Sequence, residues 1–226
     1  SILQFHTSGG LTGVWAEENT RDAIFKGMQH REVYATSGPR ITLRFFAGWG
    51  FDEHIADQPD AIALAVDGGV PMGGVLTPGT EQTDSPTFFV WAAADLMSAP
   101  LQRLQMVKGW IDAEGVTHES VRDISCSDGQ KIDASNLRCP DNGASVNIAN
   151  CEGLGNTGAA QMAVAWKDPD YHSDQNAFYY VRALQNPTCR WSTYDALRLG
   201  QTPPSHVPAT IRERAWSSPI WVQSAN

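Results

Sequence analysis

The sequence predicts a mainly β protein, a β-sandwich-like domain with a small α/β element at its amino terminus. Three observations predict it. From residue 41 onward, short stretches alternate with a period of two, as in Ile41-Thr42-Leu43-Arg44-Phe45 and Met162-Ala163-Val164-Ala165-Trp166, the pattern of strands. Turn chemistry separates them at Asp67-Gly68-Gly69, Thr77-Pro78-Gly79 and Asp112-Ala113-Glu114-Gly115, where Gly and Pro set backbone angles that strands cannot hold. Before residue 41 the period is helical instead, so the two parts are read as 1–40 and 41–226.

The helix of the first part is capped by Asn19 or Thr20, carries Asp22 in its first turn and repeats Ala23, Ile24, Gly27 and Met28 at helical spacing. Lys26, His30 and Arg31 place positive charge toward its end, which complements the helix dipole. A β-type segment over 32–36 follows, then a tight Ser37-Gly38-Pro39 turn. In the second part, 62–66, 87–92, 104–110, 117–125 and 178–184 are read as further strands, and 194–199 as a short helix. Short strands punctuated by Gly and Pro point to a sandwich or a related antiparallel assembly.

Length and composition bound the function. The chain has 226 residues, 42% hydrophobic and 18% charged, the balance of a globular protein with a core. No apolar run reaches the roughly 18 residues of a membrane span. A net charge of −9 with scattered basic residues excludes nucleic acid as a partner. The start, Ser1-Ile2-Leu3-Gln4-Phe5-His6, has no Met and no signal core, and reads as a point inside a longer chain.

Cys126, Cys139, Cys151 and Cys189 include no Cys-x-x-Cys pair, which disfavours zinc. Three of them lie in a polar loop, 126–158, with little periodicity to hold it. Two disulfides would supply that constraint, and they imply a periplasmic or secreted protein. Spacing leaves all three pairings open. The six histidines form no ligand motif, and Asp52-Glu53-His54 with Asp57 is read as a solvated acidic loop rather than a calcium site. Eight tryptophans are read mainly as core anchors, with an exposed sugar-binding platform as the alternative. No residue is assigned as catalytic. The substrate-binding candidates are Thr36, Ser37 and Arg40, where a glycine turn lets backbone approach a ligand and Arg40 offers a fork for an anion. A purely structural turn is the equal alternative.

The strings Gly10-Leu11-Thr12-Gly13-Val14-Trp15-Ala16-Glu17-Glu18-Asn19-Thr20-Arg21, Tyr34-Ala35-Thr36-Ser37-Gly38-Pro39-Arg40-Ile41 and Glu213-Arg214-Ala215-Trp216-Ser217-Ser218-Pro219-Ile220-Trp221 carry a resemblance. So do Gly69-Val70-Pro71-Met72-Gly73-Gly74, Gln105-Met106-Val107-Lys108-Gly109-Trp110, Phe178-Tyr179-Tyr180-Val181-Arg182 and Cys189-Arg190-Trp191-Ser192-Thr193-Tyr194-Asp195. The chain resembles the exported bacterial proteins of the domain-of-unknown-function family numbered 3604, distant relatives of the PHP (polymerase and histidinol phosphatase) metal-dependent phosphoesterases. The resemblance implies that 1–40 is the carboxy-terminal remnant of a PHP-like α/β domain and that 41–226 is the β-rich region trailing it. It implies a divalent metal only in an upstream region, where the family's Asp-x-His ligand element would lie. The implied role is therefore the carboxy-terminal portion of a metal-dependent, phosphoesterase-like hydrolase that is not catalytically complete alone. Its partner would be the upstream α/β region, and its ligand a small phosphate ester or a glycan. The alternative is a disulfide-braced β-sandwich module that binds a glycan or protein or plays a structural part.

Overall fold

The computed structural model describes residues 9–78 and 84–224, so the start Ser1 to His6 and Gly79 of the Thr77-Pro78-Gly79 turn lie outside the described residues. In chain order the elements are β1 (Leu11–Val14), α1 (Arg21–Gln29), β2 (Val33–Thr36), β3 (Thr42–Gly48) and a 3-10 turn (Ile55–Asp57). Then come α2 (Ala61–Gly68), β4 (Val70–Pro71), β5 (Val75–Leu76), β6 (Thr87–Ala93), β7 (Leu101–Ile111) and β8 (Thr117–Cys126). The short β9 (Ser145–Asn147) and β10 (Glu152–Leu154) form a hairpin, followed by β11 (Gln161–Lys167) and β12 (Ala177–Gln185). The chain closes with β13 (Thr188–Cys189), α3 (Trp191–Arg198), β14 (Thr210–Ile211), β15 (Arg214–Ser217) and β16 (Ile220–Val222).

Two sheets make the mainly β fold. In the larger, β12 is flanked on one side by β7 and then β8, and on the other by β15 and β16 in succession. β15 continues to β2 and β1, and β16 to β5, which among the described residues is the one parallel pairing of this sheet. Residues 33–36 are therefore hydrogen-bonded into the larger sheet through β2 and β15. The smaller sheet runs β11-β6-β3-β4.

Alternation places Ile41, Leu43, Phe45, Phe88, Val90 and Ala92 of the smaller sheet against Leu104, Met106, Tyr179, Val181, Ala183 and Ile220 of the larger. Phe88 joins the layers, its ring 4.4 Å from that of Tyr179 and 5.9 Å from that of Phe45. Removing a fully buried Phe at such a junction typically costs about 3–5 kcal/mol. The outer face of the smaller sheet is also covered, because Phe46 and Phe89 pack with Phe51, Ile55, Ala61 and Ala65.

One strand expectation fails. Residues 62–66, expected as a strand, belong to α2. The alternating partner there is Ala, which is itself apolar, so Ile-Ala-Leu-Ala-Val carries no true two-residue pattern. The small residues Ala61 and Ala65, four apart on one helical face, are the buried ones, and Leu64 and Val66 are exposed. Accordingly Asp67-Gly68-Gly69 ends a helix and does not join two strands. The late helix begins at Trp191, three residues before the expected 194. α1 matches its reading: Thr20 Oγ1 accepts from Ala23 N–H at 3.3 Å.

The polar loop is held as its composition requires. Disulfides join Cys126 to Cys139 and Cys151 to Cys189. With no described helix long and apolar enough to cross a membrane, they fit an extracellular or periplasmic protein.

Candidate functional site

The strand register arranges the outward face of the larger sheet in rows. Trp221, Phe178, Gly109 and Glu119 are cross-strand neighbours on β16, β12, β7 and β8. Their chain neighbours Ile220, Val222, Ala177 and Tyr179 are buried in the core, so this row points away from it. The next row is Tyr180, Val107 and Val121, and the row beyond it is Trp216, Arg182, Gln105 and Asp123.

The first row lines a groove of about 740 Å³ together with Val75, Ile111, Thr117, His118, Asn176 and Gln223. Phe178 lies across Gly109, and a Cβ on that glycine would overlap its ring. Trp221, 36% exposed, is positioned by Arg31, whose guanidinium sits 5.2 Å from the ring centroid and whose Nε donates to Gly73 O at 3.0 Å. The rim is polar and only partly committed. Asn176 Oδ1 accepts from Ser224 N–H at 2.9 Å, and Gln223 Oε1 accepts from the Thr77 hydroxyl at 3.0 Å. Both amide NH2 groups and the Glu119 carboxylate have no partner among the described residues. At the mouth, His118 stacks on Trp110 with ring centroids 5.2 Å apart and donates from Nε2 to Asp112 Oδ2 at 2.6 Å. That bond first, and the Val116 amide second, hold the Asp112 carboxyl below its ordinary range.

A second ionic group sits inside the sandwich. Lys108 Nζ lies 2.6 Å from Asp168 Oδ2 and 2.6 Å from Asp170 O, and Tyr179 OH donates to the same Asp168 oxygen at 2.8 Å. Burial first, and the Asp168 charge second, push the Tyr179 phenol far above its ordinary value. Lys108 and Asp168 are nearly solvent-free and mutually satisfied, which is the chemistry of a structural clamp.

The sequence candidates meet at the end of β2. Thr36 is buried, and its hydroxyl accepts from Gly38 N–H at 3.2 Å. Ser37 ties down β15: its N–H donates to Arg214 O at 2.9 Å, and its hydroxyl accepts from Arg214 N–H at 2.9 Å. Gly38 has φ 141°, as the turn needs. Arg40 donates its backbone N–H to Asp95 Oδ2 at 2.7 Å, while its side chain is exposed and makes no bond among the described residues. Thr36 and Ser37 thus build the turn, and Ser37 brings it against Arg214. The acidic loop is exposed, with His54 at 3.6–3.7 Å from Asp57 and Glu53, and no three metal-binding side chains converge among the described residues. Trp15, Trp49, Trp110 and Trp166 pack against the core, but Trp216 and Trp221 face outward.

The fold and the groove describe a disulfide-braced β-sandwich with an aromatic-walled cleft on one sheet face. Residues 1–224 match the model of a protein family of unknown function, DUF3604, and the chain belongs to that family. No curated protein and no solved structure is significantly similar to it.

Proposed function

We propose that this chain supplies saccharide recognition to a larger periplasmic hydrolase and that its outer-face groove holds the sugar. The groove is the single observation that carries the reading. Two aromatic rings and a glycine floor present apolar surface to the C–H face of a pyranose. Two open amide donors and one carboxylate acceptor are placed at the rim for its hydroxyls. Calorimetric titration of the purified chain with hits from an immobilised-glycan screen tests it. The expected result is a saccharide that binds wild type and loses at least tenfold affinity in Trp221→Ala, about 1.4 kcal/mol. Tm should stay unchanged. Absence of binding across the screen overturns the reading.

A second reading rests on the PHP relationship that the sequence resemblance implies, in which a longer protein hydrolyses phosphate esters with a divalent metal held upstream. The described residues of this chain converge on no site for that metal. Within the chain, exposed Arg40 beside the Thr36-Ser37-Gly38 turn supports it, as a guanidinium able to hold a phosphate. Residues 1–40 would then be the junction with the upstream α/β region.

A further inference from the structure

We infer that the groove continues along the same sheet face into an arginine subsite, so that its saccharide carries an anionic substituent. The inference rests on the saccharide reading. From Phe178 to Arg182 on β12 the side chains at 178, 180 and 182 share the outward face, and four strand residues span about 13 Å. Between them lies the half-buried Tyr180, paired with the fully buried Val107. At its far end Arg182 stands beside Trp216, with Arg214 and Arg103 both on the next row, opposite Leu184. Those two are the diagonal neighbours of Arg182, at about 7–8 Å, within reach of a long side chain. Three arginines therefore occupy neighbouring strand positions on one face of a protein whose net charge is −9.

The patch is built, and its arginines keep donors beyond those their neighbours use. Arg182 Nη2 donates to Tyr180 OH, and the guanidinium lies 5.3 Å from that ring. Arg214 spends one Nη2 bond on Arg212 O, and its guanidinium lies 5.9 Å from the Trp216 ring. Each guanidinium has five donors; among the described residues the Nε atoms of Arg182 and Arg103 are buried without a partner, while Arg103 also pairs with Asp123 at 3.8 Å. Asp123 is the carboxylate of this row, and it is already committed to Gln105 Nε2, Cys139 N–H, Arg103 and Arg138. Glu213, next to Arg214 in sequence, lines a separate cleft at the Cys151–Cys189 disulfide. Ser37 positions the patch by holding the Arg214 backbone through N–H and hydroxyl. A carboxylate, sulfate or phosphate ester on the sugar meets the same forked donors.

The experiment compares matched ligands: oligogalacturonate against its methyl ester, and a sulfated galactan oligosaccharide against its neutral desulfated form. Titrations are run on wild type, Arg182→Gln and Trp221→Ala at an ionic strength of about 0.01 M and again at about 1 M, where the screening length falls from about 30 to about 3 Å. At least one acidic ligand is expected to bind wild type tenfold or more tighter than its neutral partner. That advantage should vanish in Arg182→Gln and shrink with salt, while Trp221→Ala weakens both members of the pair alike. Which pair shows it separates carboxylate from sulfate. Equal binding of acidic and neutral forms, unchanged in Arg182→Gln, overturns the arginine subsite and leaves the groove reading standing. Binding of the acidic form untouched by Trp221→Ala overturns the continuity of the two. Arg214→Gln serves as the second variant should Arg182→Gln fail to fold.

Discussion

The two ends of one sheet face, built on the same strands with the same alternation, have opposite fates. At one end Asp123 of β8 is fully buried, because the loop between Cys126 and Cys139 folds over it: Asp123 N–H donates to Leu137 O and Cys139 N–H donates back to Asp123 Oδ2 at 2.7 Å. At the other end Glu119 of the same strand stands at the rim of the groove, and Phe178 and Trp221 are more than a third exposed. Strand periodicity decides which side chains leave the core. Whether they then meet solvent is decided by a disulfide-closed loop. The covered β8 edge is thereby a stability device, and the open part of the face beside it is where a ligand can be met.

The comparison breaks most sharply at its two carboxylates. Asp123→Ala leaves Arg103, Arg138, Gln105 Nε2 and Cys139 N–H facing a buried gap. Removing one partner from a buried charge cluster typically costs about 3–5 kcal/mol, which for a chain of this size lowers Tm by roughly 10 °C. Glu119→Ala should stay within about 0.5 kcal/mol, as exposed positions do, while weakening the saccharide complex. Calorimetric melting of both variants decides the matter, and equal losses of Tm would abolish the distinction between the two ends.

A smaller effect sharpens the uncovered end. At Gly109 the overlapping ring is that of Phe178, so Gly109→Ala must displace the groove wall. The expected cost is about 1–3 kcal/mol, as for overpacking, with weakened saccharide binding. Gly153→Ala, where no atom lies within 4 Å of the added methyl, is the control and should melt like wild type. If Gly109→Ala binds and melts as the control does, Phe178 does not form the wall.

Much of this face was legible in the sequence. The strands of residues 104–110, 117–125 and 178–184 show in their alternation, and the polar, aperiodic 126–158 loop required disulfides. Pairing was not legible, because spacing permits every combination. Cover was not legible either: Trp216 and Trp221 look like any strand tryptophan until the register sets them beside Arg182 and Phe178. Ser37 was selected for its turn chemistry, but its place against Arg214, 177 residues away, depends on strand pairing that no local pattern encodes. The helix over Ala61–Gly68 was hidden because Ala served both as core residue and as apparent polar alternate.

The smallest expected effect lies in the hairpin at the groove mouth, where Thr117 and Glu119 are presented by the β7–β8 turn. Asp112 organises that turn: it accepts from Val116 N–H at 2.8 Å and Glu114 N–H at 3.1 Å, and from His118 Nε2. All three bonds favour the ionised carboxyl and depress its folded-state pKa, the His118 bond most. A carboxyl depressed on folding adds stability that is fully present above its unfolded value of about 3.9 and is lost as the pH falls through the lower folded value. Asp112→Asn removes that titration while keeping an acceptor oxygen. Wild type should therefore lose more stability than Asp112→Asn between neutral pH and about pH 3, and its Val116 and His118 amide resonances should shift over the same window. Because the site is solvent-exposed, the difference in melting will be slight, and the local resonances are the decisive readout. Parallel acid profiles for the two proteins, with those resonances unmoved, would show that the Asp112 carboxylate does not hold the hairpin at the groove mouth.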